Sequence, residues 1–198
     1  MNHYFIENKA LLTHERTLPL EILGQHLAFL SNNGLFSRDQ IDEATLTLLN
    51  VLAQAPLEGT LLDLGCGYGV IGIVLAKRYP ILLTFADINA TALDYAVKNA
   101  KKNKVAYTAA IHSDGFENIT GTFDTITLNP PIHAGKEVMY KLYRQSAAHL
   151  NKGGAFYIVI QKKHGAESTI KELKGIFDQV EVLYKKKGCY VVKSSGVK

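Results

Sequence analysis

The chain has 198 residues, 47% of them hydrophobic, with a formal net charge of +4, which fits one domain with a substantial core. We therefore predict a single domain, with residues 1–56 as an N-terminal extension and 57–198 as the core. No long apolar run or secretory leader pattern is present, which favours a cytoplasmic protein without membrane association, and two isolated cysteines argue against a disulfide framework or a metal site.

The first part of the chain is predicted to form a hairpin followed by a helix. Apolar segments at 18–23 and 26–30 predict two short strands. Asn32-Asn33-Gly34 predicts a turn that leads into a loop carrying Phe36. Hydrophobic residues then recur at helical spacing, which predicts a helix from about 41 to 54.

From residue 60 onward, apolar strands alternate with helical segments. The predicted strands are 61–64, 81–86, 105–111, 123–128, 155–160, 180–184 and 189–192. The predicted helices are 71–79, 92–97, 137–150 and 166–176. Helical connections between strands imply right-handed crossovers, and only a short basic turn joins the last two strands, so the last should run antiparallel. We therefore predict an α/β fold with a doubly wound, mostly parallel, seven-stranded sheet.

A glycine-rich segment, Asp63-Leu64-Gly65-Cys66-Gly67-Tyr68-Gly69, follows the first strand of this sheet. Glycines there let the backbone turn sharply and approach a ligand closely, because a Cβ would collide. The segment resembles the D-x-G-x-G-x-G run of class I methyltransferases, which holds the amino-acid end of S-adenosylmethionine. That resemblance assigns cofactor binding to Asp63, Gly65, Cys66, Gly67 and Gly69. With Gly72, the glycines also fit the dinucleotide pattern G-x-G-x-x-G, so a nicotinamide cofactor stays open at this point.

Acidic residues follow the next two strands. Asp87 comes roughly 20 residues after the glycines, where a carboxylate can accept hydrogen bonds from both ribose hydroxyls, and Ile88 is assigned to the same cofactor site. Asn89 is predicted to cap the next helix. Asp114 follows the third strand, where methyltransferases of this class commonly set an acidic residue against the adenine amine; a simple loop aspartate is the alternative.

The segment Asn129-Pro130-Pro131-Ile132 follows the strand at 123–128. Two prolines end the strand and fix an extended backbone, so the Asn129 amide and the Pro130 carbonyl can be presented rigidly to a cleft. The segment resembles the N-P-P-aromatic motif of methyltransferases that act on planar, amide-like nitrogens. Two acceptors on such a nitrogen would free its lone pair and stabilise the positive charge that grows during methyl transfer. We therefore predict that these four residues are catalytic, that Asn129 also borders the cofactor, and that no metal, covalent intermediate or strong base is required.

Several segments together resemble the RsmC-like guanine methyltransferases of small-subunit ribosomal RNA, which carry the "small" methyltransferase domain. They are the glycine run, Gly34-Leu35-Phe36-Ser37, Ile41-Asp42-Glu43-Ala44-Thr45 and the extended motif at 129–136. The resemblance implies that Phe36 folds over cofactor and target and that Thr45 lies near the methionine carboxylate. It also implies a substrate side formed by Phe36, Ile132, His133 and Lys136.

On this resemblance we expect an N-methyltransferase that uses S-adenosylmethionine to modify guanine in ribosomal RNA. The partner would be the RNA or a ribosomal subunit, and the protein a monomer or homodimer. Lysine-rich surfaces fit a phosphate backbone, and they fit solvated helix faces equally well. The alternatives are protein glutamine or DNA adenine N-methylation, a non-catalytic cofactor- or RNA-binding module, and an NAD-dependent oxidoreductase.

Overall fold

The computed structural model describes residues 15–35 and 39–198 of the chain. Its first two elements, β1 (Arg16–Ile22) and β2 (Gln25–Ser31), form an antiparallel hairpin, which confirms the two predicted strands. The connection is the two-residue turn Leu23-Gly24, in which both residues have positive φ, as the twist of such a hairpin requires.

The predicted turn after the hairpin is also present. The Asn32 side chain accepts a hydrogen bond from Gly34 N–H at 2.8 Å, and Leu35 N–H donates to the Asn32 carbonyl at 3.2 Å. Phe36, which the sequence assigns to both cofactor and target, lies outside the described residues.

The remaining elements alternate as the sequence predicts. In chain order they are α1 (Glu43–Leu52), β3 (Gly59–Leu64), α2 (Val70–Arg78), β4 (Ile81–Asp87), α3 (Ala90–Lys102), β5 (Ala109–His112), β6 (Phe123–Leu128), α4 (Lys136–Ala148), β7 (Leu150–Gln161), α5 (Ala166–Ile176), β8 (Phe177–Lys186) and β9 (Cys189–Val197). None of the helices in the described ranges is long and apolar enough to cross a membrane.

Strands β3 to β9 form one sheet in the order β5-β4-β3-β6-β7-β9-β8. The pairs from β5 to β7 are parallel, whereas β9 runs antiparallel to both β7 and β8. This confirms the predicted doubly wound sheet and its antiparallel last strand. The chain moves outward from β3 to β5 and returns to β6 beside β3. Such a reversal opens a crevice at the carboxyl ends of these strands, where α/β proteins bind ligands.

The predicted strand 105–111 is wrong in its first half, because β5 begins only at Ala109. Residues before it close the end of α3 instead. Lys104 has a positive φ of 55°, and Val105 N–H donates to the Ala100 carbonyl, a common way to end a helix. Val105 is apolar because it packs into the core at this helix end, and its burial does not require a strand.

Each face of the sheet is covered by its own hydrophobic cluster. One cluster joins the hairpin with α1, α2 and α3, and its fully buried members include Phe29, Leu49 and Phe85. The other holds α4 and α5 against the opposite face around Tyr143 and Phe156. A sheet covered on both faces explains the continuous buried runs in β3, β4 and β7. The edge strand β8 is mostly exposed.

Asn99 on α3 and Asn103, the residue at the C-terminal cap of α3, connect the hairpin to this core. Asn99 accepts a hydrogen bond from Leu30 N–H at 2.6 Å and donates to the Leu30 carbonyl at 3.0 Å. One turn later, Asn103 makes the same pair of bonds with Ala28, both at 3.0 Å. The two amides thereby satisfy backbone groups of β2 that β1 does not reach. Asn99 also donates to the Tyr68 carbonyl at 2.9 Å, so the hairpin and the glycine turn share one buried side chain.

Candidate active site

A cavity of about 550 Å³ opens at the carboxyl ends of the parallel strands. The glycine turn lines one part of it and the Asn129-Pro130-Pro131 segment lines another, so the two motifs open into one cleft, as the sequence predicts. The residues singled out from the sequence that line the cavity are Thr45, Gly65, Cys66, Gly67, Asp87, Ile88, Asp114, Asn129, Pro130, Pro131, Ile132 and His133.

Asp63 lies behind the cleft, fully buried, and does not line it. Its carboxylate accepts a hydrogen bond from Gly72 N–H at 2.8 Å and another from the Thr127 hydroxyl at 3.3 Å, which joins β3 to α2 and β6. Burial raises the pKa of Asp63 to about 7, although both hydrogen bonds act to lower it. The structure thus shows Asp63 supporting the turn, and a direct cofactor contact stays a prediction.

Gly69 also lies outside the cavity lining. A Cβ added there would come within 3.1 Å of the Ala96 backbone and side chain, so this glycine is needed for α2 to pack closely on α3. Gly67 differs, because a Cβ on it would meet no protein atom within 4 Å. The space beside Gly67 is therefore open cleft, which is what a ligand lying against the backbone requires.

Cys66 lines the cleft between these glycines. Its N–H donates to the Ala86 carbonyl at 3.0 Å, which extends the contact between β3 and β4 into the turn. Burial raises the pKa of the Cys66 thiol well above its ordinary value, and the carboxylates of Asp87 and Asp63 raise it further. The Cys66 thiol is therefore uncharged and a poor nucleophile, and it contributes only a neutral surface to the cleft.

Asp87 stands at the end of β4 and lines the cavity. Its two oxygens accept hydrogen bonds from Gly67 N–H and Asn89 N–H, both at 2.8 Å. Burial raises the pKa of Asp87, while the bonds from Asn89 and Gly67 oppose that shift. Asn89 caps α3 by accepting from Ala92 N–H at 3.2 Å, as predicted. A carboxylate oxygen can accept more than one hydrogen bond, so Asp87 retains acceptor capacity beside the cavity that it lines.

Ser113 and Asp114 follow β5 on the same side of the cavity. Ser113 N–H donates to the Asp87 carbonyl, and its hydroxyl accepts from Asn118 N–H, both at 3.0 Å. These bonds fix the loop so that the exposed Asp114 borders the part of the cavity beyond Asp87. The position suits the predicted contact with an adenine amine, which stays a prediction.

Asn129 follows β6 and is held from the opposite side by the beginning of α1. Its Nδ2 donates to Asp42 Oδ2 at 3.0 Å and to Thr45 Oγ1 at 3.1 Å. Asp42 is also the N-cap of α1 and accepts from Thr45 N–H at 2.9 Å. The sequence predicts Thr45 beside the cofactor but does not single out Asp42. The only sequence signal for Asp42 is that an aspartate precedes a helical pattern.

The far end of the cavity contains residues that sequence reasoning misses. Ile132 and His133 lie in a short 3₁₀ helix, Ile132–Ala134, after the prolines. Lys141, Gln161 and His164, which the sequence does not single out, also line the cavity. Lys136 does not line the cavity. Its side chain lies 3.7 Å from the position of a Cβ on Gly165, the residue after His164, which does line the cavity.

The sequence matches the family model described as "Methyltransferase small domain" over residues 26–193. The chain belongs to this methyltransferase family. It is 36% identical over 198 residues to the uncharacterized protein YbxB of Bacillus subtilis, with 98% of each chain covered. It is also 39% identical over 165 residues to ribosomal RNA small subunit methyltransferase C of Pasteurella multocida, which covers 79% of this chain and 49% of that protein.

A solved structure of this kind superposes closely. It is the T. thermophilus 16S rRNA N2 methyltransferase RsmC in complex with AdoMet and guanosine, with a TM-score of 0.83, 27% identity, and coverage of 92% of this chain and 50% of that one. The chain thus spans about half the length of the ribosomal RNA methyltransferases that it matches. Membership of the methyltransferase small domain family favours a methyl donor over nicotinamide at the glycine turn.

Proposed function

We propose that the chain transfers a methyl group from S-adenosylmethionine to the exocyclic amine of a guanine in small-subunit ribosomal RNA. The observation that carries this proposal is the single cavity that joins the glycine turn to Asn129 and Pro130. The solved relative with 27% identity is described in complex with AdoMet and guanosine, which are the two ligand types that the two ends of this cavity would require.

The end of the cavity near β3 and β4 fits an adenosyl cofactor. Open space beside Gly67 leaves room for a ligand against the backbone, and Asp87 offers paired acceptors for the vicinal ribose hydroxyls. Asp114 borders the region beyond, where it would accept from the adenine amine. When bound, S-adenosylmethionine supplies an electrophilic methyl group on a positively charged sulfur.

The end of the cavity near β6 fits a planar amine. The 2-amino group of guanine is a poor nucleophile because its lone pair is delocalised into the ring. Asn129 Oδ1 and the Pro130 carbonyl would accept its two hydrogens, localise the lone pair and stabilise the charge that develops on nitrogen. Ile132 stands where the family motif has an aromatic residue, and its apolar side chain would lie against the base face with less stacking energy.

The mouth of the cavity carries positive charge suited to RNA. We call the group of basic residues His133, Lys136, Lys141, Lys162, Lys163 and His164 the basic rim. Lys141 and His164 line the cavity itself, and Lys162 and Lys163 are exposed beside it. Burial lowers the pKa of His164, and the neighbouring Lys163 and His133 lower it further. Phosphates next to an unstacked target nucleotide would bind here.

With ribosomal RNA as the substrate, we place the protein in the cytoplasm. A monomer or a homodimer is the expected oligomeric state and stays a prediction.

The proposal is tested by methyl transfer from tritiated S-adenosylmethionine to small subunits, large subunits and protein-free ribosomal RNA. The substrates come from a strain that lacks the encoding gene, and digestion to nucleosides identifies the product. Label in N2-methylguanosine of the small-subunit RNA is expected. Label in methyladenosine or in methylglutamine of a ribosomal protein would overturn the guanine assignment, and a lack of transfer to all three substrates would overturn the ribosomal one.

The Asn129→Ala variant is the control for the site. It should lower kcat by ~100-fold or more with little change in S-adenosylhomocysteine affinity, because Asn129 would contact the target mainly in the transition state. Full retained activity would contradict the role assigned to Asn129.

A further inference from the structure

The first turn of α1 is built into the target end of the cleft. Asp42 and Thr45 both line the cavity, and Thr45 is buried. Their side-chain oxygens lie 3.0 and 3.1 Å from Asn129 Nδ2. The contact joins residues 87 positions apart, from the N-terminal extension to the end of β6.

The chemistry of these groups allows only one orientation of the Asn129 amide. An amide has two N–H donors on nitrogen and one acceptor on oxygen, whereas an ionised carboxylate can only accept. A flipped amide would set Oδ1 against the Asp42 carboxylate, oxygen to oxygen, with no proton between them. The bound orientation uses both N–H groups on α1, so Oδ1 is the acceptor that remains for the cleft.

We propose that Asp42 is a positioning residue that locks the Asn129 amide with its oxygen presented to the target amine. Thr45 completes the lock by binding the second N–H. A hydrogen bond to a carboxylate also draws electron density toward the amide oxygen and strengthens it as an acceptor. Helix capping alone would require only the bond from Thr45 N–H, and Asp42 Oδ2 makes both bonds at once.

This inference rests on the proposed function for its kinetic consequences, but the lock itself exists without substrate. Three substitutions separate the two duties of Asp42. Asp42→Ala removes the cap and the lock together. Asp42→Ser keeps a hydroxyl that can cap the helix but is too short to reach Asn129. Asp42→Asn keeps an oxygen able to accept both bonds, and asparagine caps helices as well as aspartate does.

The kinetic expectation follows from these differences. Asp42→Ser should lower kcat by ~10- to 100-fold while its melting temperature and S-adenosylhomocysteine affinity stay near the parent values. Asp42→Asn should keep a kcat much closer to that of the parent protein. Asn50→Ala, on the exposed side of the same helix, is the matched control and should retain parent activity. Loss of activity that tracks loss of stability across all four variants would overturn the proposal.

A double-mutant cycle asks whether Asp42 acts through Asn129. If it does, Asp42→Ser adds no further loss in the Asn129→Ala background, because the amide that it orients is gone. Multiplicative losses would show that Asp42 acts by another route and would overturn the proposal.

A measurement on the free protein distinguishes failure of the lock from failure of the proposed function. The Asn129 side-chain NH₂ signals, assigned by their absence in Asn129→Ala, should exchange slowly with solvent and become fast-exchanging in Asp42→Ser. Fast exchange in the parent protein would overturn the lock whatever the enzyme methylates. Slow exchange in a protein that transfers no methyl group would leave the lock in place and count against the proposed function alone.

Discussion

Asp87 Oδ2 accepts a hydrogen bond from Gly67 N–H at 2.8 Å, so the end of β4 holds the glycine turn that follows β3. Asp87 also lines the part of the cavity where we expect an adenosyl ribose to lie. We expect this one side chain both to shape the turn and to offer acceptors to the ribose.

We expect Asp87→Ala to weaken S-adenosylhomocysteine binding by ~100-fold or more, because two hydrogen bonds from ribose to a charged acceptor are lost. Isothermal titration measures this directly. Asp94→Ala, an exposed aspartate on α3, is the matched control and should bind as the parent does. Equal affinity in the two variants would contradict the ribose assignment.

The pH dependence of stability provides a second prediction, centred on Asp63. Its pKa is 3.8 when unfolded and about 7 in the fully buried folded state. Between these values the folded state binds a proton that the unfolded state releases, so the stability contributed by this group falls as pH rises through that range. Asp63→Asn removes this titration but keeps an acceptor for Gly72 and a donor for Thr127.

The free energy of unfolding of Asp63→Asn should therefore rise relative to the parent as pH increases from 4 to 8, by a few kcal/mol, and then stay level. Urea titrations at a series of pH values measure the difference. Parallel curves for the two proteins would show that Asp63 does not titrate in this range.

The glycines of the turn should respond differently to alanine. A Cβ on Gly67 enters open cleft at a φ of 55°, whereas a Cβ on Gly72 would lie 2.7 Å from Leu83 and 2.9 Å from Phe85. We expect Gly67→Ala to lower cofactor affinity with a modest strain cost of about 1 kcal/mol. Gly72→Ala should mainly lower the melting temperature. Titration and thermal unfolding of both variants check this, and a reversed pattern would contradict the assignment of Gly67 to the ligand.

The sequence predicts the motif residues of the site because their signals are local. A strand followed by glycines, or by two prolines, has few conformations open to it, so the positions of Gly67 and Asn129 at strand ends follow from their immediate neighbours in the chain. Asp42 could not be found this way. Its partner Asn129 is distant in the chain, and nothing near Asp42 distinguishes it from an ordinary helix cap.

The difference between local signals and contacts made by distant residues also explains the other residues that the sequence misplaces or misses. Val105 has a strand-like environment in the sequence, but the ending of α3 depends on the positive φ of Lys104, which is not a glycine. Lys141 and His164 lie on α4 and beyond β7, and only the packing of those elements brings them to the same cavity. Asp63 and Gly69 belong to the glycine motif, but both lie outside the cavity lining. Asp63 holds the turn, and Gly69 lets α2 pack closely on α3.

Asn99 should link the hairpin to the glycine turn, so that its loss affects both protein stability and cofactor binding. It is fully buried and makes three hydrogen bonds, two to Leu30 and one to the Tyr68 carbonyl. Asn99→Ala leaves these backbone groups unpaired, and we expect a loss of about 2–4 kcal/mol in the free energy of unfolding. Asn103→Ala, which touches β2 but not Tyr68, is the control. Only Asn99→Ala should also weaken cofactor binding; equal effects of both on affinity would argue against a link to the turn.

The basic rim should affect RNA binding without affecting the cofactor. Lys162 and Lys163 are exposed and lie in the chain between Gln161 and His164, which line the cavity. Lys101 and Lys102 are exposed in the last turn of α3, far from these residues in the chain, and do not line it. Both double alanine variants remove two charges, so they change the net charge equally.

If RNA phosphates bind at the rim, only the Lys162→Ala, Lys163→Ala variant should raise the KM for ribosomal RNA, by ~10-fold at moderate salt. The slope of log affinity against log salt concentration should also become shallower by about 1–2. The reason is that RNA binding releases fewer counterions when fewer phosphates are contacted. The same increase in KM for both variants would mean that the RNA responds to overall charge and not to this surface.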